Sequence, residues 1–180
     1  MAIRNPQDLR AALGKGQRLL GLDLGEKTIG VAVSDPGLRV AAPVTTIRRA
    51  KFTQDATALA QIMRERAIIG LIIGLPINMD GTEGPRCQSV RQFAQNLLNR
   101  TDILGVEPEI AFWDERLSTA AVQRMMIEQA DLSRKRRAEA VDKMAAAYIL
   151  QGALDAFAAL PTSTPESCKP FAGGLKELER

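Results

Sequence analysis

The 180-residue sequence predicts a mixed α/β fold in which one sheet is covered by helices, and three observations support this. Two short apolar runs, RLLGLDLG at 18–25 and IGVAVSD at 29–35, flank a polar loop of Glu26, Lys27 and Thr28, which is the pattern of a β-hairpin. Further on, AIIGLIIGLP at 67–76 is a continuous isoleucine-rich run, as expected of a strand buried on both faces. The segments around that run carry apolar residues at helical spacing, so strand and helix alternate after an antiparallel opening.

Taken in order, the hairpin strands are followed by Arg39 to Ile47, where Val40, Val44 and Ile47 mark a third strand that Pro43 restricts to an edge or an irregular course. From Thr53 to Arg66, Ala56, Leu59, Ala60, Ile62 and Met63 lie on one helical face, and Arg64, Glu65 and Arg66 close the helix before the central apolar strand. Residues 77–86 (INMDGTEGPR) read as a glycine-rich loop and 86–100 as a second amphipathic helix. EPEIAFW at 107–113 is a further strand, and Ser118 is a good N-cap for the helix that follows it. The basic cluster Arg134, Lys135, Arg136 and Arg137 leads into a last helix over about 138–159. Residues 1–16 read as a loose N-terminal extension, 17–160 as one domain, and 161–180, rich in proline and serine, as a flexible tail.

Composition narrows the function. At 46% hydrophobic and 25% charged residues the chain has the make-up of an ordinary globular domain, and a net charge of +3 with a pI near 9.1 permits a polyanionic partner without demanding one. The longest apolar stretch, Ala67 to Leu75, falls well short of the ~18 residues of a membrane span, and no apolar signal region opens the chain, so a cytoplasmic protein is expected. Cys87 and Cys168 match no zinc or redox spacing and read as two free thiols of a reducing compartment. There is no histidine. That removes Ser-His-Asp and Cys-His nucleophile pairs and His-ligated zinc, leaving hydrolysis to carboxylates, lysine, arginine or a metal held by oxygen.

Carboxylates stand where burial is expected. Asp23 lies in mid-strand among Leu19, Leu20, Leu22 and Leu24, between Gly21 and Gly25. A buried carboxylate is normally paired or metal-bound, and the glycines let another backbone or a phosphate approach; the plainer alternative is a hydrogen-bonded acid that caps the hairpin. Asp142 shares a helical face with Ala138, Ala145, Ala146 and Ile149, unless it caps a helix beginning at Lys143. Asp114 and Glu115 follow a strand directly, either as a third acidic position of a site or as a solvated loop pair. Asp35, Asp80 and Glu83 lie in loops and read individually as surface acids. If the strand, strand-end and helix acids converge, their repulsion calls for a divalent cation, and oxygen-only ligation suits Mg²⁺ or Mn²⁺ acting on a phosphodiester.

Four blocks in order, GLDLGEKTIGVAVSD, GLPINMDGTEG, DERLST with its following helix, and VDKMAAAYIL, give a sequence that resembles the YqgF/RuvX family of Holliday-junction-resolvase-like proteins, proposed pre-16S rRNA nucleases, from about Arg18 to Asp155. The resemblance implies an RNase H-like mixed five-stranded sheet, three antiparallel strands and then parallel βαβ, flanked by helices. It implies catalytic roles for Asp23, Asp142 and the Asp114–Glu115 pair, with Asp23, Glu115 and Asp142 as metal ligands. Related resolvases carry their second acid on the fourth strand, whereas here that strand ends in Gly74, Leu75 and Pro76 with none; Asp114, Glu115 or the loop acid Asp80 must complete the set.

The implied activity is metal-dependent endonucleolytic maturation of the 5′ end of precursor 16S rRNA during ribosome assembly. Resolution of branched DNA by the same chemistry is the alternative, with a monomer or a homodimer open. Arg86, Arg116 and the cluster at Arg134, Lys135, Arg136 and Arg137 are candidates for phosphate contacts, and an aromatic content of 4% argues against extensive base stacking. Two other readings are weighed. DLGEKTIG also resembles the phosphate-binding hairpin of sugar-kinase and actin-like ATPases, a fold that needs two such domains where this chain has room for one. A non-catalytic RNA-binding assembly factor would retain the basic residues and show no metal-dependent cleavage.

Overall fold

The computed structural model describes residues 3–14, 16–117 and 134–159. The hairpin forms as strand β2 (Arg18–Leu24) and strand β3 (Thr28–Ser34), antiparallel, with Asp23 opposite Gly30. The Gly25 amide donates to the Thr28 carbonyl at 2.9 Å and closes the turn. Strand β4 (Ala41–Arg48) adds antiparallel to β3 at the edge of the sheet. Pro43 is accommodated there because the register slips between Val31 and Ala32: Thr45 faces one and Pro43 the other, which leaves Val44 as the extra residue of a bulge.

Helix α2 (Phe52–Arg66) ends at Ala67 in the left-handed conformation, φ 54°, and the chain enters strand β5 (Ile68–Leu75). β5 pairs in parallel with β2 on one side and with strand β6 (Glu109–Asp114) on the other, and is almost wholly buried, as its uninterrupted apolar run requires. Helix α3 (Pro85–Leu98), with proline at its first position, and the short helix α4 (Thr101–Leu104) connect β5 to β6. A 3₁₀ turn, Glu115–Leu117, follows β6, and the long helix α5 (Arg134–Ala158) closes the described chain. The helix that Ser118 was expected to cap lies outside the described residues.

Three antiparallel strands followed by parallel ones make the RNase H-like mixed sheet that the resemblance implies, with one strand more than expected. The extra strand comes from the N-terminal segment read as loose. Strand β1 (Ile3–Arg4) pairs in parallel with β6, giving the order β1-β6-β5-β2-β3-β4, and helix α1 (Pro6–Ala12) seats Leu9 fully buried against the sheet. Asn5 caps α1 by accepting from the Asp8 amide at 2.8 Å, with Pro6 first in the helix. Leu9, the partly buried Leu13 and the Arg4–Glu109 ion pair hold the segment to the sheet edge.

Strand periodicity divides the side chains between two faces. Leu20, Leu22, Leu24, Ile29, Val31, Val33, Leu71 and Ile73 pack under α2, α3 and α4 with Leu59, Met63, Phe93 and Leu97. Leu19, Ala32, Ile72 and Ala111 pack on the other face with Ala146, Ile149, Leu150, Ala153 and Phe157 of α5 and Leu9 of α1. Asp23, by the same alternation, belongs to the α5 face.

Candidate active site

Asp23 projects from the last turn of β2, half-buried, between two glycines on neighbouring strands. Across the hairpin is Gly30, where a methyl group would come within 2.0 Å of the Asp142 carbonyl oxygen, so α5 lies against β3 at the very residue paired with Asp23. That contact brings Asp142, also half-buried, into the same corner. Asp142 sits well inside α5, which begins at Arg134, and so does not cap a helix starting at Lys143. Nor does Asp23 tie the hairpin together: its carboxylate has no hydrogen-bond partner among the described residues, and the Gly25–Thr28 backbone bond closes the turn.

On the β5 side, one position beyond the Leu22–Ile73 pair, stands Gly74. A methyl group there would lie 2.6 Å from Glu115 Oε1 and 2.6 Å from Ile149 Cδ1. Glu115, from the turn after β6, therefore lays its carboxylate over the place where a side chain of the fourth long strand would be.

Asp23 lies within the electrostatic reach of both other acids. Burial, then the charges of Glu115 and Asp142, push the Asp23 carboxyl up to about 7, with Arg86 pulling the other way. Burial also raises Glu115, opposed by Arg86 and reinforced by Asp114. Asp114 moves in the opposite direction. Both its oxygens accept from Arg116, at 3.0 Å from Nε and 2.6 Å from Nη2, and this hydrogen bonding holds its carboxyl below the usual range. Two adjacent acids are thus divided, Asp114 to fix an arginine and Glu115 to join the Asp23 field.

The loop acids serve local structure. Asp80 is exposed and accepts from the amide and hydroxyl of Thr82 at 2.9 and 2.6 Å, shaping the 78–82 turn, and Glu83 pairs with Arg91. Asp35 accepts the amides of Gly37, Arg39 and Val40 and builds the turn from β3 to β4. Beside Glu115 a cleft of about 440 Å³ opens between the 76–86 loop and the end of β6, lined by Asn78, Met79, Pro85, Arg86, Glu115 and Arg116. Arg116 spans it by also reaching the Asn78 carbonyl at 3.4 Å. The side chains of Arg134, Lys135, Arg136 and Arg137 lie outside the described residues.

Sequence reasoning passed over Arg49 and Asp55. Asp55, 2% exposed, accepts the Ala50 amide at 3.0 Å and lies 3.9 Å from Arg49, which in turn donates to the Gly25 carbonyl at 2.9 Å. An acid in the first turn of a helix looks like an ordinary dipole-favoured residue, so no sequence signal marks its burial.

A mixed sheet with carboxylates gathered at the carboxyl end of its central strands, beside an arginine-lined cleft, is the constellation of a phosphodiester-cleaving nuclease. The chain belongs to the family described as "RuvX: Holliday junction resolvase", which matches residues 17–156. Among curated relatives, a protein of Rhodospirillum centenum is 70% identical over 155 residues, covering 86% of this chain and 82% of that protein. One of Paramagnetospirillum magneticum is 60% identical over 155 residues, 86% of this chain and 96% of that protein, and one of Phenylobacterium zucineum 59% identical over 155 residues, 86% and 97%. Each of the three bears the name "Putative pre-16S rRNA nuclease".

Proposed function

We propose that this nuclease is a divalent-metal-dependent endonuclease that matures the 5′ end of precursor 16S rRNA in the cytoplasm. The observation that carries the reading is Asp23, half-buried at the end of a central strand in the field of both Glu115 and Asp142 and set beside an arginine-lined cleft. The names of the 59–70% identical relatives support the substrate. No helix among the described residues is long and apolar enough to cross a membrane.

The donor set suits Mg²⁺ or Mn²⁺ in type and in sign. All three groups are carboxylates, and burial, reinforced by the charges of Glu115 and Asp142, leaves Asp23 at about 7, a penalty on its negative charge that a divalent cation would relieve. Their spacing is wider than a closed chelate, since no three ligating side chains among the described residues stand together around one point. In the proposal Asp23, Glu115 and Asp142 hold the ion, and a bound ion supplies Lewis acidity and a water of lowered pKa for attack on phosphorus.

The chain's own residues do the rest. β2 fixes Asp23 on a rigid central strand. Arg86, which opposes the charge of both Asp23 and Glu115, is placed to neutralise phosphate oxygens at the reacting group. Arg116, locked by both oxygens of Asp114, presents a pre-set guanidinium in the cleft. Arg134, Lys135, Arg136 and Arg137 are further candidates, by sequence, for contacts to the RNA backbone. Residues 17–160 form the catalytic domain in this reading, with 161–180 as a tail.

Cleavage of an RNA carrying the precursor 5′ end, beside a four-way DNA junction, in Mg²⁺, Mn²⁺ or EDTA, tests the proposal. Metal-dependent RNA cleavage lost in Asp23→Asn is the expected result. The family description favours a second reading, junction resolution, which needs two active sites in symmetrical array; cleavage of the junction alone by a dimer would establish it instead. RNA bound but never cut would identify a non-catalytic assembly factor.

A further inference from the structure

A second, smaller cavity, about 60 Å³, lies on the other side of Arg86 from the main cleft. The β2–β3 turn (Gly25, Glu26), the β4–α2 turn (Arg49) and the first turns of α3 (Arg86, Ser89) enclose it over a floor of Val90 and Phe93. A cavity needs roughly 10–15 Å³ to hold one water, so this one has room for a group with several oxygens.

Several of its donors have no hydrogen bond among the described residues. Arg86 makes no hydrogen bond and no ion pair among the described residues, and the Ser89 hydroxyl likewise has no partner among them. Arg49 uses Nη1 on the Gly25 carbonyl and directs Nε toward Asp55, which leaves Nη2 without a hydrogen bond among the described residues. The guanidinium is also fixed in place, stacked 5.7 Å from the Phe93 ring centroid, while the Arg49 amide bonds the Lys27 carbonyl at 2.9 Å. Arg86 occupies the second position of α3, whose first turn has no acid, so the helix dipole and the guanidinium are both positive there. Arg49, Arg86 and the α3 N-terminus bring positive charge to a cavity whose lining holds one acid, Glu26, while Asp55 acts on Arg49, and Asp23 and Glu115 on Arg86, from outside that lining.

We infer that this cavity is a subsite for a backbone phosphate of the bound polynucleotide, next along the strand from the one at the Asp23 group, held by Arg49, Arg86 and Ser89. The inference rests on the nuclease reading and deepens it. Arg86 lines both cavities, so the strand runs from the Glu115 cleft past Arg86 to Arg49 across the carboxyl end of the sheet. With contacts to phosphate alone, the subsite sets register and affinity and does not read sequence. Asp55 has a part in it, since a buried acid 3.9 Å from Arg49 joins the Gly25 carbonyl and the Phe93 ring in holding the guanidinium.

The test measures affinity of the full-length protein for the precursor 5′-end RNA in EDTA, where no cleavage intervenes, as a function of salt. Ser89→Glu brings a negative charge into the cavity from an exposed helical position and is expected to weaken binding about tenfold or more. It should also lower the slope of log affinity against log salt by about 0.7–0.9, the loss of one phosphate contact. Gln88→Glu adds the same charge one exposed residue away, outside the cavity lining, and should change affinity less than threefold. Arg49→Lys keeps a cation beside Asp55 but loses the planar fork, and should weaken binding about fivefold with the thermal midpoint within a few degrees of wild type. In Mg²⁺ or Mn²⁺, Ser89→Glu should raise KM and leave kcat within about twofold. Equal effects from Ser89→Glu and Gln88→Glu, or no effect from Ser89→Glu, would overturn the subsite. If wild type binds RNA but never cuts it, the nuclease reading falls while the Ser89 and Arg49 results still decide the subsite. Binding of neither RNA nor DNA overturns both.

Discussion

The two faces of the central sheet are built from the same strands by opposite rules. Toward α2 and α3, β2 sends Leu20, Leu22 and Leu24 into a core of large aliphatic and aromatic side chains. Toward α5 the same strand offers Leu19, Gly21 and Asp23, with Gly30 and Gly74 beside the acid. The first face is filled throughout by large side chains, whereas the second, though packed on α5 elsewhere, gives up side chains at Gly21, Gly30 and Gly74, where the α5 backbone and the Glu115 side chain come close to the strands. A packing face tolerates no lost methylene and an active face no added one.

That contrast yields its largest expected effect at Asp23. Asp23→Asn keeps the shape and removes one charge, and should lower metal-dependent RNA cleavage by at least about 10²–10³-fold, as loss of a single electrostatic group in an active site does. Single-turnover cleavage at saturating RNA measures it, and residual activity above one-tenth of wild type would remove Asp23 from the catalytic group. On the opposite face Leu22→Ala, fully buried, should cost about 2–5 kcal/mol in denaturant unfolding while the protein that remains folded still cuts RNA.

Gly30→Ala should cost stability by the reverse route, about 1–3 kcal/mol or more, because the added methyl meets a helix carbonyl that has no freedom to move aside. Gly74→Ala is a sharper probe. Its added methyl meets the ends of the Glu115 and Ile149 side chains, which can rotate away, so unfolding should change by less than in Gly30→Ala while cleavage falls at least tenfold as Glu115 is displaced. Equal losses of stability in the two variants would mean that Glu115 is as rigid as the helix backbone.

The smallest effect concerns pH. Asp23 titrates at about 7 in the folded chain against 3.8 when exposed, so the folded state prefers the protonated form. Its contribution to stability is complete below about pH 3.8 and is lost as pH rises through 7. In EDTA, Asp23→Asn should therefore be more stable than wild type at pH 8 by on the order of 2 kcal/mol after allowance for screening, with the difference gone near pH 4. Thermal melts at both pH values check this, and adding Mg²⁺ at pH 8 should narrow the gap by stabilising wild type alone.

Much of this could be read from the chain. The hairpin, the edge strand broken by Pro43, the buried central strand and three of the helices announce themselves through period, length and breakers, because local geometry and burial write directly into apolar spacing. Asp23 and Asp142 stand out for the same reason, as polar residues at positions whose neighbours are apolar. The N-terminal segment was misread because a single buried leucine, Leu9, gives no period. Asp114 and Glu115 could not be separated, since adjacent residues at a strand end share every local property; what parts them is Arg116 on one side and the gap over Gly74 on the other. Arg49 and Asp55 went unnoticed because the contacts that set them apart, to the Gly25 carbonyl and to each other, join different elements.

The sequence by itself determined the element order, the alternation of faces and the absence of any chemistry that needs histidine, all of which depend on residue type and near-neighbour spacing. Only the tertiary structure decided that Glu115 takes the place left open at Gly74, that α5 presses its backbone onto Gly30, and that Arg49 and Arg86 meet around one cavity. Those outcomes depend on contacts between residues some 30 to 110 positions apart, where the decisive quantity is the space left between elements, and no short stretch of sequence encodes a distance.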